Sequence, residues 1–152
     1  MSLETVLLAV GERDEGRTDR LAATAADVAG PADATVALGH VFTTGEYDEA
    51  RSKLDFDHSE VTPDRVARRY VTIRALGDAL KAAEVDFSWH GRLADDEDEK
   101  GEVVVDLTGE LDADMVVIGG RKRSPAGKAV FGSTAQEIML ESPCPVTFVR
   151  SD

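Results

Sequence analysis

The residues best suited to chemistry lie together in one stretch, Met115-Val-Val-Ile-Gly-Gly-Arg-Lys-Arg-Ser-Pro-Ala-Gly-Lys-Ala-Val-Phe-Gly-Ser-Thr134. An apolar strand runs there into a loop rich in glycine and cations, followed by another glycine and two hydroxyls. The chemistry such a stretch offers is anion binding. Gly119 and Gly120 are expected to bend the backbone just past the strand and bring its N–H groups close to a ligand, while Gly132, Ser133 and Thr134 open a helix whose first N–H groups lack helical partners. Arg121, Lys122, Arg123 and Lys128 put four cations within eight residues of a chain whose formal net charge is −13. Positive potential and free backbone donors therefore coincide. Each signal also has a plain structural reading. The glycine pair can be a tight strand exit, Ser133 and Thr134 ordinary helix caps, and the cations a solvated loop balancing acidic neighbours.

Little else in the chain suggests catalysis. His40, His58 and His90 fall on different elements, so neither a Cys–His nor a Ser–His–Asp set assembles near the cradle. Cys144 stands between Pro143 and Pro145 with no evident cation to activate it and reads as a packed thiol. Glu12, Asp14 and Glu15 are the available candidates for holding the Mg²⁺ ion that hydrolysis would need. No fast enzyme is expected. The run Asp95-Asp-Glu-Asp-Glu99 reads as a solvated face before a helix N-terminus or, less economically, as a divalent-metal site. It lacks the alternating ligands and the glycine of an EF-hand loop. Arg65, Arg68 and Arg69 form either a solvated helix side or a second anion site.

The elements that must position the cradle follow from composition and periodicity. At 152 residues the chain is long enough for one domain, spanning 1–152, that buries about two-thirds of its unfolded surface. Aromatic residues are only 5%, so Val, Leu, Ile and Ala must build the core, which suits helices packed on a parallel sheet. The apolar runs are too short to span a membrane, the N-terminus does not read as a signal peptide, and the cytoplasm is the expected location. One cysteine excludes an intrachain disulfide and a thiolate metal cluster. Thirty acidic against 17 basic residues, of which 12 are Arg and 5 Lys, argue against nucleic-acid and anionic-membrane partners. The same acidic, lysine-poor balance suits a high-salt cytoplasm and a halophilic archaeal source.

Thr5 to Val10, stopped by Gly11, reads as a central strand buried on both faces. A helix is predicted over 18–29 with Thr18 as N-cap and Gly30-Pro31 as its stop, then a second strand over 34–41. Residues 43–61 show no sustained period and read as a surface excursion with room for one short helix. Thr62-Pro63 starts one long helix, whose apolar face is Val66, Tyr70, Ile73, Leu76 and Leu80. Val85 to His90 alternates like an edge strand. A helix over 101–111, a strand over 114–118, a helix over 132–141 and a strand over 146–150 complete the chain. Strands alternating with helices imply right-handed crossovers and a doubly wound, five-stranded parallel sheet with helices on both faces.

With these elements laid out, the stretch from Gly119 to Ser133 resembles the phosphate loop of the universal stress protein family: a Gly, two residues, a Gly, nine residues, then Gly-Ser. Gly119 and Gly132-Ser133 match, whereas Lys122 stands where the family has its second Gly. The segment Ala135-Gln-Glu-Ile-Met-Leu-Glu-Ser-Pro-Cys-Pro-Val-Thr-Phe-Val-Arg150 resembles the family's closing helix, Pro-x-Pro turn and last strand. The resemblance implies a Rossmann-like fold similar to the adenine nucleotide α-hydrolases, with strand order 3-2-1-4-5. It also implies a site for ATP or another adenine nucleotide. Gly119, Gly120, Arg121, Lys122, Gly132, Ser133 and Thr134 would lie around the phosphates, and Val10, Gly11 and Val41 toward the base, although Val41 reads first as core. Gly11 replaces the acidic residue that the family often carries after the first strand. Lys122 would either block the backbone conformation of the missing Gly or place its ammonium on a phosphate. The resemblance further implies a homodimer paired through the last strand, 146–150. The competing readings are the same fold acting on an unknown protein partner without nucleotide, and an adenylate-cleaving enzyme of the wider class.

Overall fold

The computed structural model of the chain describes residues 2–54, 61–121 and 132–151. Its five strands are β1 (Thr5–Val10), β2 (Thr35–Thr43), β3 (Phe87–Ala94), β4 (Met115–Arg121) and β5 (Val146–Ser151), and its helices are α1 (Thr18–Ala32), α2 (Thr44–Leu54), α3 (Pro63–Arg69), α4 (Val71–Ala82), α5 (Lys100–Glu110) and α6 (Ser133–Glu141). All strand pairs are parallel, in the order β3-β2-β1-β4-β5. This is the expected α/β architecture, with β3 at one edge.

Two apolar layers cover the sheet. Val6, Leu8, Val36, Leu38 and Val117 share one cluster with Leu21, Ala25 and Ala29 of α1 and Ile73, Leu76 and Leu80 of α4. Leu7, Ala37, Val41, Val116 and Ile118 share the other with Val104 and Leu107 of α5 and Ile138 of α6. The period-two alternation of each strand thus feeds both faces, and continuous apolar runs such as Thr5–Val10 are the result.

Several elements depart from the sequence reading. The expected stop at Gly30-Pro31 is passed: α1 continues to Ala32 with Pro31 in its last turn. One lost N–H is tolerated there because the end is fixed further on by Asp33 in the left-handed region (φ 55°). Ala34 N–H donates to Ala29 O at 2.9 Å and Asp33 N–H to Gly30 O at 3.1 Å. The same closing pair of bonds recurs around Glu84 after α4 and around Asp112 after α5. Three helices therefore end on acidic residues at positive φ, where glycine is the usual choice. Thr18 is the first residue of α1 and its N-cap is Arg17. In the excursion over 43–61, α2 is capped reciprocally: Thr43 N–H donates to Glu46 Oε1 at 2.8 Å, and Glu46 N–H to Thr43 Oγ1 at 3.2 Å.

The single long helix expected from Thr62 is two. Thr62 Oγ1 does accept from Arg65 N–H, but Tyr70 is extended (ψ 134°) and separates α3 from α4. Its ring is drawn inward to stack on His40 with centroids 4.4 Å apart, and stands edge-on to Phe42. The third strand also begins two residues later than expected and runs to Ala94. Its outer edge is closed by α3: Gly91 N–H donates to Asp64 Oδ1 at 2.8 Å, and a side chain at Gly91 would overlap the Pro63 carbonyl. Arg68, on the exposed side of α3, lies over the Trp89 ring at 4.4 Å.

Candidate functional site

A doubly wound sheet offers a crevice where the strand order reverses, here between β1 and β4. The ladder between them runs from Val6↔Met115 to Leu8↔Val117. The flanking ladders go further, β1–β2 to Val10↔His40 and β4–β5 to Arg121↔Ser151. The sheet is thus split at the carboxyl ends of its two central strands. Gly11 and Gly119 lie on opposite sides of the split.

What fills the split is a buried carboxylate. After Gly11 the chain makes a 3-10 turn over Glu12–Arg17. Asp14 within it is 5% exposed, its Oδ2 accepting from Gly11 N–H and its Oδ1 from Arg17 Nε, each at 2.7 Å. Arg17 Nη2 also donates to Arg13 O at 3.1 Å. A Cβ built on Gly119 would lie 2.9 Å from Asp14 Oδ1 and 3.1 Å from Arg17 Cδ. The pair therefore rests directly on the bare Cα of the first loop glycine.

This changes the reason for the two glycines. Both belong to β4, in register with Val149 and Arg150, so the bend expected after Ile118 does not occur there. None of the described glycines sits in the left-handed region. What both require is space: Gly119 lies beneath Asp14 and Arg17, and Gly120 beneath the Phe148 ring, 2.7 Å from its would-be Cβ. Gly132 is in open surroundings and is the N-cap of α6, with Ser133 as the first helical residue. Ser133 and Thr134 are already helical, so neither is the N-cap. Ser133 is exposed, and Thr134 is partly buried.

The expected base-side residues separate. Val10 packs in the α1/α4 layer and Val41 in the α5/α6 layer, both 5% exposed. Gly11 borders the split. Arg121 is the last residue of β4, while Lys122, Arg123, Pro125, Gly127 and Lys128 lie outside the described residues.

Beside the split is a charged cluster that the sequence reading missed. Lys100 Nζ, at the start of α5, bridges Glu46 at 2.8 Å and Glu97 at 2.9 Å. Glu12 hydrogen-bonds to Glu46, and this, with partial burial and the Glu46 charge, raises its pKa to about 7. Glu46 is held down to about 2: partial burial pushes it up, but hydrogen bonds from Glu12, Lys100 and the Thr43 amide outweigh that. Below about pH 7 the two carboxyl groups thus share one proton. Nearby, His40 is 2% exposed, and burial lowers its pKa. Since Val10 O can only accept, the 2.7 Å contact assigns the imidazole proton to Nδ1. The legible clue to this cluster was Thr43-Thr-Gly-Glu46, a capping-box spacing that fixes Glu46. No group of three or more His, Cys, Asp or Glu suited to a metal is found among the described residues. No described helix is long and apolar enough to cross a membrane.

Fold and split together define the class: an open, doubly wound α/β domain whose ladder opens at its topological switch point. The model of the universal stress protein family matches residues 3–150, and the chain belongs to that family. A universal stress protein of Mycolicibacterium smegmatis is 47% identical over 55 residues, 32% of this chain and 42% of that one. The match thus covers less than half the length of that curated relative. Among solved structures, a universal stress protein from Archaeoglobus fulgidus superposes with a TM-score of 0.68 at 24% identity, covering 97% of this chain and 98% of its own. A universal stress protein in complex with cAMP gives 0.65 at 18% over the whole of both chains. An A. fulgidus universal stress protein in complex with dAMP gives 0.64 at 21%, covering 99% and 100%. At these identities the likeness is one of fold.

Proposed function

We propose that this chain is a stress-response module that takes an adenine nucleotide, or another phosphate compound, weakly at the split between β1 and β4. The observation that carries this reading is the split itself, with Gly11 on one side and Gly119 and Gly120 on the other. The relatives solved with cAMP and dAMP support it. In this reading Gly132, Ser133 and Thr134 offer donors to the phosphates, and Lys122 makes the loop a degenerate version of the family's. Magnesium enters only with the nucleotide. Rapid catalysis is not expected: His40 is buried against Val10 O, and His90, on the edge strand, is hydrogen-bonded to Ser88. The protein would act in the cytoplasm of a halophilic archaeon as a homodimer joined through β5.

The test is a thermal-shift and calorimetric titration with AMP, ADP and ATP, with Mg²⁺, at high salt, beside Lys122→Gly. Binding by the wild type is the expected result, stabilising the fold according to ligand concentration over Kd. A second reading, protein contact without nucleotide, is favoured by the Asp14–Arg17 pair that fills the split. It predicts no shift at millimolar nucleotide in either protein.

A further inference from the structure

We propose that the Asp14 carboxylate is a built-in competitor for the phosphate position, so that anions enter the split only by displacing it. The inference rests on the nucleotide reading above and specifies how that site is regulated.

Three observations converge on Asp14. Its two oxygens take the Gly11 N–H and the Arg17 Nε–H, which are the kinds of donor that a phosphate oxygen uses. It lies against Gly119 from the far side of the opened ladder, so it bridges both lips of the crevice and is more than a local cap of its own turn. The Asp14 and Arg17 side chains are only 7% and 10% exposed, so solvent screens them little and the contact is desolvated. A phosphate arriving here would meet a fixed negative charge and a guanidinium already neutralised. Glu12, Glu46, Glu97 and Lys100 form the neighbouring charged cluster.

Asp14→Asn keeps the side chain's shape and one acceptor oxygen while removing its charge. We expect the folded variant to bind AMP and inorganic phosphate at least about tenfold more tightly than the wild type. Wild-type affinity equal to or tighter than that of Asp14→Asn overturns the inference and leaves the nucleotide reading standing. No binding by either protein overturns both. Should Asp14→Asn fail to fold, ¹⁵N NMR of the wild type decides. Displacement predicts that the Gly11 amide and Arg17 Nε–H resonances move with AMP on the same saturation curve as the amides of 132–134. If they stay still at every AMP concentration reached, the inference is overturned.

Discussion

At the scale of single residues, the Glu12–Glu46 pair makes the stability of the fold depend on pH with a calculable sign. Glu12, raised from 4.5 to about 7, keeps in the folded state a proton that the unfolded chain has already released. Its stabilising contribution is complete below 4.5 and declines as pH rises to about 7. Glu46 acts in the opposite sense: its contribution is present above 4.5 and fades as pH falls toward 2. Replacing Glu12 by Gln, which preserves the hydrogen bond without titrating, is expected to flatten the melting-temperature profile between pH 4.5 and 7. The readout is thermal denaturation at matched ionic strength, and an unchanged slope would show that the two carboxyl groups do not share a proton. Gly120 offers a steric test of a different kind. Gly120→Ala drives a methyl into the Phe148 ring, for an expected loss of about 1–3 kcal/mol by denaturant titration.

The elements carry a second, less obvious strain. Glu84 closes α4 at φ 60°, a region that costs an ordinary residue about 1–2 kcal/mol. Glu84→Gly should therefore stabilise the protein, by up to about 1 kcal/mol once the greater freedom of glycine in the unfolded chain is subtracted. A melt that falls would mean the Glu84 side chain contributes more than its backbone costs. Strand interiors and helix ends differ in how plainly the sequence encodes them. Runs such as Thr5–Val10 and Met115–Ile118 announced the strands because burial on both faces leaves an unbroken apolar signature. The ends of α1, α4 and α5 were illegible because Asp33, Glu84 and Asp112 do the work of glycine, while Gly30 and Pro31 suggested a stop the chain overrides. The break at Tyr70 was equally hidden, since helical spacing continues through it and only the ring of His40, thirty residues earlier, pulls Tyr70 out of register. Likewise Gly119 and Gly120 could be recognised as special, but whether they met a ligand or their own chain depended on what Asp14, Arg17 and Phe148 do in three dimensions.

For the molecule as a whole, a net charge of −13 means mutual repulsion that dissolved salt should relieve, so the melting temperature is expected to climb steadily with KCl. A flat response would remove the compositional argument for a saline habitat. The sheet's two margins also differ. β3 is closed by α3 through the Asp64 contact to Gly91, whereas β5 ends the strand order opposite it. Pairing of β5 with its copy about a twofold axis predicts a dimer by sedimentation at micromolar protein. Val149→Pro and Arg150→Pro, made separately because the amides of successive residues face opposite edges of a strand, test it. The one whose amide faces outward should shift the equilibrium toward monomer, and a wild type that sediments only as monomer would discard the pairing. The closure of β3 then acquires a further meaning. A sheet with two open margins has a valence of two and can polymerise by adding strands indefinitely. With the far margin stoppered by Asp64 and Pro63, a sheet that pairs through β5 would have a valence of one, and growth by strand addition would terminate at the pair instead of propagating into a fibre.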